Sequence, residues 1–205
     1  ALKSEYNIGL SILRAFMCFQ VVLCHFWKAN VPYIGWKGWL RFFRGYAVPV
    51  FMLLSFFLTE KVLVSHDKGR IIKRLHRLLV PYFCWPFIYW ILYNILDWWK
   101  WGYGLECGIP ELFWQLLMGH SVQLNGVMWY QFEIIILTVL FVIILYIFRE
   151  RYMSVLCICM MAAWLFQYSG WNKRLFGGLR FELTYPLGRF SEMVPYAVCG
   201  FAIAH

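Results

Sequence analysis

The sequence predicts an all-α protein, a polytopic bundle of transmembrane helices, and three observations predict it. Hydrophobic residues make up 62% of the 205 and charged residues only 14%, whereas a soluble domain carries roughly 25% charged residues. The apolar residues come in runs of about twenty, which at about 1.5 Å per residue cross a hydrocarbon core of roughly 30 Å. The cations fall mostly between those runs, and 12 Trp and 13 Tyr suit the headgroup belts at the ends of spans. A soluble protein with one greasy core fits none of this. The net charge of +9 favours anionic headgroups or an anionic cofactor over nucleic acid.

The first run, Ile8 to Trp27, is long enough to span and carries Arg14 and His25. A cation there costs roughly 2.5–3.5 kcal/mol on insertion scales, so it is expected to face protein or water. Arg14 and His25 are eleven residues apart, which is three turns plus about 20°, on one stripe with Cys18 and Val21 between them. That stripe is expected to face inward. The run lacks a small-residue cleavage site behind it and reads as a retained helix.

Residues 28 to 45 interleave Lys28, Lys37, Arg41 and Arg44 with Trp and Phe, as an interfacial segment does. A second span is expected from Tyr46 to Val64, with Pro49 near its start and Ser55 in its middle. Residues 60 to 77 form the most cationic stretch, read as a loop holding Lys61, Lys68, Arg70, Lys73, Arg74 and Arg77. The positive-inside rule makes that loop cytoplasmic and places the N-terminus on the same side.

A third span is expected from Leu78 to Trp99, interrupted by Pro81 and Pro86, which neighbouring helices can accommodate. Pro110 to Met118 reads as a short amphipathic helix with Pro in its first turn. Spans four, five and six are expected at Val127–Phe148, Tyr152–Tyr168 and Leu187–Ala204. The whole of residues 1–205 reads as one domain of six spans. Most of the seven Cys lie inside apolar runs, and Cys157-Ile158-Cys159 lacks the two-residue gap of a zinc or redox pair. No metal is expected.

Several of these residues resemble the membrane acyltransferase-3 family. The first helix has Arg14 and then His25 after ten intervening residues. The second has Tyr46-Ala47-Val48-Pro49-Val50-Phe51-Met52-Leu53-Leu54-Ser55. Arg74-Leu75-His76-Arg77 precedes Leu79-Val80-Pro81-Tyr82, and Val127-Met128-Trp129-Tyr130 opens the fourth span. The elements follow the family's order and cover most of the chain. Phe56 stands where the family usually has Gly, which puts close helix packing there in doubt. Arg41-Phe42-Phe43-Arg44 repeats the Arg spacing but precedes the wrong span. The resemblance implies about ten spans in the whole protein, so this chain corresponds to roughly the first two-thirds.

The resemblance implies transfer of an acyl group, commonly acetyl from acetyl-coenzyme A, to a hydroxyl of a cell-surface or exported polysaccharide. It also implies a bacterial-type inner (plasma) membrane. His has the pKa of a general base for a hydroxyl, a role expected of His25. Arg14 is expected to orient the donor or stabilise charge on the thioester oxygen. Arg74 and Arg77, with Arg70 and Lys73, are expected to hold the coenzyme's phosphates, because Arg matches phosphate geometry bidentately. The bland alternative for these four is a set of topology anchors. Trp129, Tyr130 and Glu133 are candidate acceptor contacts. Glu133 and Glu192 could each orient His25, although both lie near a span end, where water is expected. Two other classes compete. In a transporter or flippase of a lipid-linked sugar, Arg14 and His25 would line a pathway. In a non-catalytic sensor or assembly subunit, the same charges would only pack helices.

Overall fold

The computed structural model describes residues 8–30, 46–102, 108–119, 128–169 and 181–205, with the backbone alone for residues 22–30, 101 and 181–187. The described residues form eight α-helices and no strand: α1 (Ile8–Asn30), α2 (Ala47–Phe57), α3 (Glu60–Val64), α4 (Lys68–Trp101), α5 (Ile109–Leu117), α6 (Met128–Phe148), α7 (Tyr152–Tyr168) and α8 (Phe181–Ala204). A 3₁₀ turn, Arg149–Arg151, joins α6 to α7. Two stretches, Lys68–Lys100 and Met128–Tyr168, are long and apolar enough to cross a membrane.

The core gathers around α6. Met52 and Phe56 of α2 meet Leu137, Phe141 and Leu145 of α6, and Met193, Ala197 and Phe201 of α8 close the third side. Phe141 sits between two aromatic rings, 4.5 Å from Phe56 and 5.3 Å from Phe201. Contacts at matching levels make α2, α6 and α8 parallel, while α4 and α7 run the other way. Along α4 and α6 the pairs are Arg74 with Thr138 and Leu78 with Gln131. Along α7 and α8 they are Gln167 with Ser191, Met160 with Cys199 and Tyr152 with His205.

Phe56 does not space the helices out. It is fully buried, and close approach is provided one turn away, at Leu53, by Gly200 of α8. A β-carbon at 200 would collide with the Leu53 carbonyl, so α2 and α8 meet backbone to backbone. Small residues allow this in helix pairs where apolar burial against lipid gains little.

Several expected boundaries differ. The first helix runs on from Trp27 to Asn30, and the last starts at Phe181 rather than Leu187. The second apolar run is two helices, broken at Leu58–Thr59. Residues 68–77 are the first turns of α4 and not a loop. Asp67 starts that helix as N-cap, its Oδ1 accepting from Gly69 N–H (2.9 Å) and Arg70 N–H (3.2 Å) and satisfying two orphan donors. The helix then continues unbroken through Pro81 and Pro86 to a left-handed Gly102. Gln131 of α6 donates to the Leu78 carbonyl at 2.7 Å, in the turn that Pro81 loosens. The expected short helix at 110–118 is present as α5. It seats Leu112 and Leu116 against Tyr82 and Met128, and Tyr82 Oη donates to the Leu116 carbonyl (2.5 Å).

Candidate functional site: a polar seam between α2, α4, α6 and α8

Inside this apolar bundle, polar side chains collect along α6 and its neighbours. Arg74 of α4 points into the bundle. Its Nη2 donates to Ser55 Oγ of α2 (3.2 Å) and Thr138 Oγ1 of α6 (3.3 Å). Its guanidinium lies 5.6 Å from the centre of the Phe56 ring, within cation–π range. Arg74 Nε is buried without a hydrogen-bond partner among the described residues. Tyr130 lies within electrostatic reach of the same guanidinium. One side chain thus ties three helices together.

Further along α6, toward its N-terminus, sits Glu133. It is 1% exposed, and its Oε2 has no hydrogen-bond partner among the described residues. Arg189 of α8 and Tyr82 of α4 interact with it electrostatically. Arg189 donates to Glu192 (2.9 Å) and stacks its guanidinium 4.9 Å from the centre of the Trp129 ring. From Trp129 to Thr138 is nine residues, about 14 Å of helix. The seam therefore carries two arginines, two carboxylates, the hydroxyls of Ser55 and Thr138, the rings of Phe56 and Trp129, and the phenols of Tyr82 and Tyr130 along one length of the bundle. Leaving a carboxyl oxygen unpaired in such a place is costly, and such positions are where ligands or protons are handled.

The acyltransferase-3 domain family matches residues 7–205. The chain belongs to this family. No curated protein and no solved structure matches the chain. The family is membrane-associated, which agrees with two stretches able to cross a bilayer, and acyl transfer is the chemistry it performs.

In this acyltransferase the motif residues separate by side. Arg74 and Ser55, from different motifs, are in direct contact. Arg70, Lys73 and Arg77 are exposed on α4. At about 100° per residue all four lie within about 100° of one another, with Arg74 at one edge, about 40° from Arg70 and about 60° from Arg77; its bonds to Ser55 and Thr138 are what set it apart. Arg70 Nε also pairs with Asp67 Oδ2 at 3.1 Å. The four cations expected to act together are therefore split between an outer face of three and an inner latch of one.

On α1 the described part of the stripe expected to face inward does so only at Val21, which is half-buried. Arg14 and Cys18 are exposed, and the residues packed against the described bundle are Met17 and Gln20, a face turned from Arg14 by about 90°. Periodicity placed Arg14 and His25 on one stripe, but the angle of that stripe is set by how Met17 and Gln20 dock. The His25 side chain lies outside the described residues, as do Arg41, Arg44 and His120. Glu133, expected near water, is buried, while Glu192 is half-exposed and paired with Arg189.

Thr138, Arg189 and Phe56 escaped the sequence reading as members of the seam. Arg189 carried a signal, being a cation in an apolar run. Thr138 carried little, because a hydroxyl in a span most often bonds its own helix. A second polar cluster joins other elements at the opposite end of the bundle: His205 Nδ1 meets Glu60 Oε1 (3.1 Å), and Tyr152 Oη meets His205 Nε2 (3.0 Å).

Proposed function

We propose that this protein moves an acetyl group from acetyl-coenzyme A to a hydroxyl of a cell-surface or exported carbohydrate. The observation that carries this reading is the seam itself. A buried run of arginine, carboxylate, hydroxyl and aromatic groups begins directly behind an outer cationic face on the same helix. The outer face, Arg77 with Arg70 and Lys73, suits the phosphates of coenzyme A. Arg74 marks where that face turns into the bundle and would meet the inner end of the donor, its spare Nε–H available to oxygen. Trp129, Tyr130 and Glu133 line the acceptor end, where aromatic faces and a carboxylate suit sugar carbons and hydroxyls.

In this reading His25 takes the acceptor hydroxyl's proton, the hydroxyl oxygen attacks the thioester carbon, and the coenzyme leaves as thiolate. Arg14 orients the donor or offsets charge on the thioester oxygen. The protein would cross a bacterial-type plasma membrane six times within this stretch, with a cytoplasmic N-terminus and the donor arriving from the cytoplasm. No metal takes part in this scheme.

Two measurements on purified full-length protein test it. Acetyl-coenzyme A is expected to bind saturably, about tenfold more weakly in Arg77→Ala, the equivalent of about 1.4 kcal/mol for one lost charge-assisted contact. Transfer to a carbohydrate acceptor is expected to vanish in His25→Ala while donor binding persists. Absence of donor binding by folded wild type would overturn the donor assignment, and full transfer by His25→Ala would overturn the base.

A further inference from the structure

At the cationic end of the bundle, residues of α3, α4 and α6 line a cleft of about 600 Å3. Its walls are Leu63 of α3, Ile71 and Ile72 of α4, and Val142 of α6, and its rim carries Lys68 and Arg149. The volume lies within the usual range of a small-molecule site, but the walls offer almost no polar group.

The cleft is separate from the outer cationic face. Taking Lys68 as the reference on α4, Ile71 and Ile72 lie within about 60° of it, whereas Arg70, Lys73 and Arg77 lie about 140–180° away. It is instead continuous with the lipid-facing side. Ile72, Leu79 and Phe83 repeat at helical spacing up α4 and are all exposed, as are Val139 and Ile143 on α6. An apolar chain entering between Ile72 and Val142 thus has a path onward without crossing a polar group.

The rim is built at the expense of backbone comfort. His66 and Arg149 are the only non-glycine residues with positive φ among the described residues, 52° and 38°, and both line this cleft. Left-handed backbone is unfavourable for residues with a β-carbon and concentrates where a ligand is gripped. The turn at Arg149 ends α6 and the turn at His66 precedes α4, so the two strained turns set the two sides of the mouth. The nearest acid on α4's side, Asp67, is already paired with Arg70.

We propose that this cleft binds one anionic phospholipid, its phosphate between Lys68 and Arg149 and an acyl chain along Ile72 and Val142. Cationic pockets between membrane helices select such headgroups. A coenzyme would leave its nucleotide's many polar groups unmatched against these walls. The site is independent of the acyl-transfer reading, since it shares no residue with the seam or the outer face.

The test uses delipidated full-length protein in detergent, titrated with phosphatidylglycerol or phosphatidylcholine and read by native mass spectrometry. The expected result is one retained phosphatidylglycerol with a preference of about tenfold or more over phosphatidylcholine, since each cation near a headgroup contributes about fivefold in affinity and the two together exceed tenfold. Lys68→Ala/Arg149→Ala should abolish the preference, and Val142→Trp, which fills the cleft and leaves the cations, should abolish retention. Lys73→Ala/Arg77→Ala should change neither. Equal retention of both lipids overturns the proposal. So does a preference that follows Lys73 and Arg77, which would mean diffuse charge attraction. Displacement of phosphatidylglycerol by acetyl-coenzyme A would also overturn it and assign the cleft to the donor.

Discussion

Arg74 and Arg77 sit three residues apart on one helix, yet they belong to different parts of the protein. Arg74 is half-buried and reaches Ser55 and Thr138 on two other helices. Arg77 is exposed beside Lys73 and Arg70. The same side chain thus serves once as an internal tie and once as a surface charge, and a turn of about 60° around α4 is all that separates them. A motif of two arginines need not be one site with two equal ligands. The comparison can be broken by substitutions that affect one side and spare the other.

The largest effect is expected on the inner side, at Gly200. Gly200→Leu must push α2 from α8 at the Leu53 carbonyl, and backbone cannot yield as a side chain can. The expected loss is about 3 kcal/mol, visible as a large drop in melting temperature of detergent-purified protein. An unchanged melting temperature would mean that α2 and α8 do not meet there.

Next comes Arg74→Ala. It removes two hydrogen bonds to hydroxyls and the cation over Phe56, at a cost of about 2 kcal/mol. Arg74→Lys should restore less than half, because the shorter ammonium must reach both hydroxyls from a different position and lacks the planar guanidinium that lies over Phe56. Ser55→Ala/Thr138→Val in the Arg74→Ala background should add almost nothing further, since the partners are already lost. If the double and triple losses instead add fully, Arg74 is not the tie between these helices.

What the sequence made legible follows the same division. The spans at 128–148 and 152–168 were readable because they are nearly continuous apolar runs closed by Arg149-Glu150-Arg151. The start of α4 was not, because Lys68, Arg70, Lys73, Arg74 and Arg77 hide the helical spacing of Ile71, Ile72, Leu75 and Leu78 among charges. The family resemblance was readable from ordered motifs. The division of labour inside one motif was not, since periodicity gives angles around a helix but no direction to the core. For α1 that missing direction left Arg14 and Cys18, expected to face inward, exposed. Gly200 could not be found either, because its importance is set by a carbonyl nearly 150 residues away in sequence.

On the outer side the effects on stability should be small and the effects on ligand large. Asp67→Ala removes the N-cap of α4 and should cost about 1 kcal/mol, with Asp67→Asn recovering most of it because the amide oxygen still accepts from Gly69 and Arg70. Arg77→Ala should leave stability within about 0.5 kcal/mol of wild type while weakening acetyl-coenzyme A binding. Loss of stability equal to that of Arg74→Ala would erase the distinction between the two faces.

The smallest effect is expected at Arg70, where the two roles of a surface cation can be separated. Its pair with Asp67 is well exposed on both sides, 67% and 46%, and such pairs contribute about 0.2–1 kcal/mol or nothing measurable. Asp67 also keeps its cap without Arg70's side chain, since the cap is made to the backbone N–H of residue 70. Arg70→Ala should therefore lower the melting temperature by a degree or so at most, and raising the salt concentration should remove even that difference. If Arg70 contributes to the outer face as proposed, the same variant should still weaken donor binding, by less than Arg77→Ala because Asp67 already offsets part of its charge. An Arg70→Ala variant with unchanged donor affinity at low salt would narrow the outer face to Lys73 and Arg77.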